Sequence, residues 1–160
     1  MRRNSGFTAY ELAVTLAIVA IMATVTMPSF LSWLTAHRLR GASINLMADM
    51  EMAKIRAIRE NTFVAVQFAA DKYRIFIDNG SGGGVAGDWI QNGSERLVID
   101  RPFPAGVSIP LTELALADKR VRFTSRGLPA DLLNAVSIPL VNSTGRRDIG
   151  LNRLGRLWVQ

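Results

Sequence analysis

Residues 7–36 read FTAYELAVTLAIVAIMATVTMPSFLSWLTA, and the reading of this run decides the fold. It holds one charged side chain, Glu11, and from residue 12 to residue 36 there is neither acid nor base. As a helix, residues 12–36 extend about 37 Å at 1.5 Å per residue, longer than the hydrocarbon layer of a bilayer is thick. The sequence therefore predicts a transmembrane helix over 7–36. Arg2 and Arg3 precede it and stay on the cytoplasmic side by the positive-inside rule, which sends the C-terminal bulk across the membrane. A secretory signal peptide has a shorter apolar region that ends at a small-residue cleavage site, whereas this run continues unbroken. A carboxylate in such a helix is costly in hydrocarbon unless a cation meets it. Glu11 thus pairs inside an assembly or sits solvated at headgroup level, and the residues alone leave both readings open.

Beyond the run, 124 residues remain of the 160, room for one small globular domain over 37–160 with its own core. There is no cysteine, so packing alone must hold this domain, and thiol catalysis and cysteine metal sites are excluded. His37-Arg38-Leu39-Arg40 forms a basic collar where the chain leaves the membrane. The helical period then resumes to about Asn61, with Leu39, Leu46, Met50, Ala53 and Ala57 on one stripe that a sheet would cover. Lys54, Arg56, Arg59 and Glu60 fall mostly on other, solvated faces.

From residue 62 the period drops to two. Residues 62–69 and 73–78 alternate around Asp71-Lys72 and read as a hairpin. The segment from Asn79 to Gly87, rich in glycine, reads as a flexible connector. It lacks the Gly-Lys-Ser/Thr of a phosphate loop, and Asp78 with Asp88 falls far short of a calcium cage. Further strands are predicted at 95–100, 107–110 (an edge), 121–124 and 135–142, with a turn at 124–129 and a closing hairpin of 148–152 with 156–160. Pro102, Pro104 and Pro110 keep their neighbourhoods out of central strand positions. No catalytic set is visible: His37, the single histidine, has no Ser or Cys partner at a suggestive spacing, and no carboxylate pair stands in an acid/base context. The chain reads as a non-enzyme without metal or cofactor.

Gly6-Phe7-Thr8-Ala9-Tyr10-Glu11-Leu12 resembles the processing motif of type IV prepilins and type II secretion pseudopilins. The resemblance implies a leader over 1–6, cleavage between Gly6 and Phe7 by a prepilin peptidase, and N-methylation of Phe7. It implies that Glu11 meets the terminal amine of a neighbouring subunit, and that Pro28 marks a kink or local melting of the first helix. Desolvating two charges is tolerable only if they meet, so such a pair would set register more than add stability. Pro28 also suits a helix end at the membrane surface, since Ser29 and Ser32 are capping types.

Ala53-Lys54-Ile55-Arg56-Ala57-Ile58-Arg59-Glu60-Asn61 before an alternating strand resembles the helix-to-sheet junction of the GspH/FimT branch. Phe123 to Gly127, Gly145-Arg146-Arg147 and Gly155-Arg156 resemble the same domain. The fold implied is α+β and type IV pilin-like, a long N-terminal helix on a small antiparallel sheet domain. The function implied is a minor pilin or pseudopilin that takes part in initiating or tipping a type IV pilus or type II secretion pseudopilus. Its partners would be other pilin or pseudopilin subunits, the prepilin peptidase and the inner-membrane assembly platform. The subunit would cross the inner membrane once with its domain in the periplasm, then enter the filament.

Charge supplies a second reading. The net charge is +6, and from Lys119 onward eight basic residues face only Asp131 and Asp148. A clustered basic surface is the footprint of a polyanion binder. Some FimT-like proteins are DNA receptors of transformation pili and carry a Gly-Arg-x-Arg motif. Here Trp158 stands where the second arginine would, and Gly145-Arg146-Arg147-Asp148 also misses the spacing. The alternative is thus a DNA-binding minor pilin using Arg146, Arg147, Arg153 and Arg156, with Trp158 as a base-stacking or core residue.

Overall fold

The computed structural model describes residues 7–130 and 132–160. The chain divides into two compact units, one ending at Leu34 and one spanning Thr35–Gln160. Helix α1, Ala9–Arg59, contributes to both.

In the first unit α1 leaves Leu16, Val19, Ile21, Met22, Met27 and Leu31 uncovered. It is long and apolar enough to cross a membrane. The helix runs through Pro28, so it does not end there at Ser29 or Ser32.

In the second unit the expected stripe is the buried one: Leu39, Leu46, Met50, Ala53 and Ala57, joined by Ala42. The helix stops for a local reason. Asn61 takes φ 49°, Thr62 N donates to Ala57 O at 3.2 Å, and Asn61 N donates to Ile58 O at 3.3 Å. This is the Schellman closure, with Asn in the left-handed position that glycine more often fills.

Two antiparallel sheets follow. The first has the order β3-β2-β1-β4, built from β1 Phe63–Phe68, β2 Lys72–Asp78, β3 Leu97–Pro102 and β4 Arg120–Phe123. The second has the order β5-β6-β7, from β5 Val136–Asn142, β6 Gly145–Leu151 and β7 Leu157–Val159. Val64, Val66, Tyr73, Ile75, Val121 and Phe123 from one sheet and Ile138, Leu140, Ile149 and Leu151 from the other share one core with the helix stripe. Each large side chain so buried contributes about 1.5–3 kcal/mol. Tyr73 Oη also donates to Asp49 of α1 at 2.5 Å, and Arg101 of β3 reaches the same carboxylate at 3.2 Å, tying sheet to helix by polar contacts.

Four sequence expectations need correction. The strand expected at 95–100 runs over Leu97–Pro102, because the Glu95 side chain turns back to accept backbone amides. Pro102 is tolerated because β3 is an edge strand, as is Pro139 in β5. The edge strand expected at 107–110 shrinks to a bridge between Ser108 and Val141. The last hairpin begins earlier than 148: β6 starts at Gly145 and pairs with β5 through a tight turn. There Asn142 Oδ1 accepts from Thr144 N at 2.9 Å and Gly145 N at 3.0 Å, so Arg146 and Arg147 lie on a strand and not in a loop.

The glycine-rich segment is the fourth correction, being organised and not a flexible connector. The buried Asp78 carboxylate accepts from Gly87 N at 2.6 Å and Trp89 N at 3.1 Å. The buried Glu95 carboxylate accepts from Gly80 N at 2.8 Å and Asn92 N at 3.1 Å. Burial pushes the Asp78 carboxyl up, with the Glu95 charge adding to it, against the two amides and Arg122. The loop lies against the face of the first sheet opposite the core, where the Arg122 guanidinium stacks between Phe63 and Trp89 at 4.5 and 4.4 Å from their ring centres.

Candidate functional site

At the N-terminus, the Glu11 carboxylate has a local role that the spacing Thr8-x-x-Glu11 already contained. Thr8 N and Thr8 Oγ1 donate to Glu11 Oε2 at 2.9 and 2.7 Å, while Glu11 N donates to Thr8 Oγ1 at 3.3 Å. This reciprocal capping box satisfies donors that the first helical turn leaves open. It also holds the acid at the positive end of the helix dipole. Oε1 takes no hydrogen bond among the described residues and is open to a further donor. Phe7 is exposed beside it, whereas Gly6, the other half of the expected processing site, lies outside the described residues.

The four candidate arginines do not form one site. Arg146 is engaged on the outer face of the second sheet: its Nε donates to Asp148 Oδ2 at 2.8 Å and its Nη1 contacts Glu113. Asp148 and Glu113 make Arg146 a still weaker acid than usual, while Arg146, with help from Ser137, holds the Asp148 carboxyl below its ordinary range against the effect of burial. Arg147 is half-buried and points to the opposite face, the one it shares with Ile149 and Leu151. Arg153 and Arg156 are exposed at the β6–β7 turn and have no carboxylate partner among the described residues.

Two contacts with α1 fix where these pairs sit. Asn142 Nδ2, at the β5–β6 turn next to Arg146 and Arg147, donates to Thr35 O at 2.8 Å. Lys54 Nζ, nineteen residues further along the helix, donates to Gly155 O at 2.9 Å, beside Arg153 and Arg156. By helical rise the two contact points are about 28 Å apart.

What joins Arg153 and Arg156 is Arg126, in the turn that follows β4. Gly155 (φ +75°) packs so closely that a Cβ there would meet Gly127 O at 2.5 Å, and a Cβ on Gly127 (φ +74°) would meet Ile58 Cδ1 at 2.7 Å. Two glycines thus clamp the 124–128 and 152–156 loops together over the last turns of α1, bringing Arg126, Arg153 and Arg156 to the end where Arg59 is also exposed. Trp158 stands apart from this group. Its ring lies on Gly150, where a Cβ would come within 2.1 Å of it, half-buried on the outer sheet face and not in the core.

Among the described residues no group of three His, Asp or Glu side chains is placed to hold a metal. A cleft of about 490 Å³ beside β4 is lined by Trp89, Leu116, Asp118, Arg120, Leu132 and Leu133, without an acid/base pair facing a nucleophile.

Residues 42–155 match the family model described as type II transport protein GspH. Among solved structures, two crystal forms of the type IV minor pilin FimU of Pseudomonas aeruginosa PAO1 superpose on the chain. One is 14% identical with a TM-score of 0.60 over 80% of this chain and 92% of that one. The other is 15% identical with a TM-score of 0.55 over 76% and 91%. At such identity the likeness speaks for the fold alone. No curated protein matches the sequence.

Proposed function

The chain belongs to the type II transport protein GspH family, and from that membership we propose that it is a minor pilin or pseudopilin subunit, membrane-anchored by α1, that takes part in initiating or tipping a filament. It is a structural subunit and not an enzyme. The observation that carries this reading is the first unit: an apolar helix with Leu16, Val19, Ile21, Met22, Met27 and Leu31 uncovered, behind one carboxylate held at the helix N-terminus. Lipid covers such a helix before assembly, and other helices cover it afterwards. Cleavage between Gly6 and Phe7 by a prepilin peptidase would bring a new amine within four residues of Glu11, whose open Oε1 suits the amine of a neighbouring subunit. Pro28 would let the helix adjust between membrane and filament. The domain would face the periplasm, and the inner-membrane assembly platform would be a partner in building the filament.

Mass spectrometry of the N-terminus tests the processing, with methylated Phe7 as the expected first residue. Glu11→Ala tests the assembly role: the variant should reach the membrane and be missing from filaments. Incorporation at the normal level would refute the function given to the carboxylate.

A second reading, a DNA-binding pilus component, is favoured by the clamped loops that present Arg126, Arg153 and Arg156 together. On this reading these three residues carry more of the contact than Arg146 and Arg147. Duplex binding by residues 35–160 at low salt is its test.

A further inference from the structure

The arginines at the other end of the second unit form an arrangement of their own. Arg38 and Arg40 are exposed, Arg147 is half-buried, and none has a carboxylate partner among the described residues. Between Thr35 and Ala48 the helix carries no acid at all; the first, Asp49, is engaged by Tyr73 and Arg101. At about 100° per residue, Arg38 and Arg40 leave α1 about 160° apart, on nearly opposite sides. Arg147 comes from a third direction, since it projects from the sheet face that covers the helix stripe. Its height is set by the Asn142–Thr35 hydrogen bond. Two residues into β6 from the turn is about 7 Å along the strand, close to the level of Arg38 and Arg40.

Three guanidiniums spread around one helix at one level suit a plane that the helix pierces. A rod-like polyanion on one flank could touch Arg38 or Arg40 but not both. The uncharged run ends at Ala36, directly before this level. We infer that Arg38, Arg40 and Arg147 form a ring that docks the globular unit on the anionic phospholipid headgroups of the membrane from which α1 emerges, before assembly. The inference rests on the anchoring proposed above, and goes beyond it by giving the β5–β6 hairpin a lipid-facing role.

The chain has no cysteine, so Ser143→Cys in the exposed turn takes a single fluorophore on the full-length protein. The labelled chain is reconstituted into vesicles of phosphatidylcholine alone, or with about a third phosphatidylglycerol, each carrying a headgroup-linked nitroxide quencher. Quenching should be stronger in the phosphatidylglycerol vesicles, weaken as salt is raised, and be small for a label at Ser125→Cys. Each arginine changed to Gln should lower the docked-to-undocked ratio about fivefold. The Arg38→Lys/Arg40→Lys/Arg147→Lys chain should keep the signal, which separates lost charge from lost folding.

Equal quenching in both vesicle types, or no response to Arg38→Gln/Arg40→Gln, would overturn the ring while leaving the anchor intact. Displacement by inorganic phosphate beyond its effect on ionic strength would also overturn it, by making the ligand a free anion. A chain that fails to float with vesicles of either kind would overturn the anchoring, and the ring with it.

Discussion

The split of the candidate arginines makes the polyanion reading quantitative. If Arg59, Arg126, Arg153 and Arg156 each neutralise one phosphate of duplex DNA, log K should fall with log salt at a slope of about −3.6, from about −0.9 per contact. Arg153→Gln/Arg156→Gln removes two contacts and should reduce the slope to about −1.8. Referred to 1 M salt, where counterion release vanishes, the same change weakens binding about 60-fold at 0.1 M. Arg146→Gln/Arg147→Gln should leave slope and affinity nearly unchanged, because Arg146 is taken by Asp148 and Glu113 and Arg147 faces the other way some 28 Å along the helix. The assay is fluorescence anisotropy of a labelled duplex titrated with residues 35–160 at 50, 100 and 200 mM salt, about the range over which phosphate contacts dominate. Equal losses from the two double variants would refute the division of the arginines. A wild-type domain that does not bind at the lowest salt would refute the DNA reading altogether.

The other predictions follow from named contacts. Thr8→Val removes the hydroxyl that Glu11 shares, worth about 1 kcal/mol as a cap, so filament incorporation should fall about fivefold, far less than in Glu11→Ala. Leu46→Ala empties a fully buried site under both sheets and should destabilise the 35–160 unit by about 2–5 kcal/mol in thermal unfolding. Gly155→Ala forces a side chain onto a left-handed residue and into the Gly127 carbonyl; unfolding should be easier by at least about 1 kcal/mol. The depressed Asp148 acid adds stability above its unfolded pKa of about 3.9, and that stability is lost as pH falls through the lower folded value. Arg146→Gln should therefore lower the melting temperature at pH about 6, where the carboxylate is ionised in both states, and lower it progressively less as pH falls below about 3.9 and the folded carboxylate takes up its proton. A constant difference across that window would contradict the pairing.

Where one periodic signal dominated, the sequence was easy to read. The stripe through Leu39, Leu46, Met50, Ala53 and Ala57 and the hairpin of β1 and β2 follow from spacing alone, because burial on one face leaves no other register. The β5–β6 hairpin was harder. Its strand opens with Gly145-Arg146-Arg147-Asp148, polar on every position, and only the Asn142 side chain, which satisfies the turn amides, announces it. The glycine-rich loop misled for a related reason: its order comes from Asp78 and Glu95, two acids at its ends whose lone pairs replace the missing ladder bonds. In the candidate site, Thr8-x-x-Glu11 has the spacing of a capping box, masked by the apolar run that follows it. The Arg146–Glu113 pair was not legible, since residues 33 positions apart meet only through the fold. The same holds for the loop clamp, where Gly127 and Gly155 are ordinary turn glycines until the close approach is seen.

The distribution of paired and unpaired cations carries more information than the net charge. Carboxylates hold many of the cations of the second unit: Asp100 holds Lys72 and Arg74, Asp49 holds Arg101, Glu60 holds Arg96, and Asp148 with Glu113 holds Arg146. Apart from Lys119, whose Nζ donates to Leu114 O, the basic residues left without such partners among the described ones gather at two ends, Arg38, Arg40 and Arg147 around the emerging helix and Arg59, Arg126, Arg153 and Arg156 over its last turns. If the excess charge served only solubility, nothing would favour this sorting, because unpaired arginines on the sides repel solute neighbours equally well. A subunit whose sides pack against other subunits has a reason for it. Like charges facing across a lateral contact are costly, so sides are neutralised internally and the excess is moved to surfaces that face something other than a neighbouring subunit. On the proposed topology those surfaces are a membrane at one end and whatever the filament meets at the other, and the same charge sorting serves both.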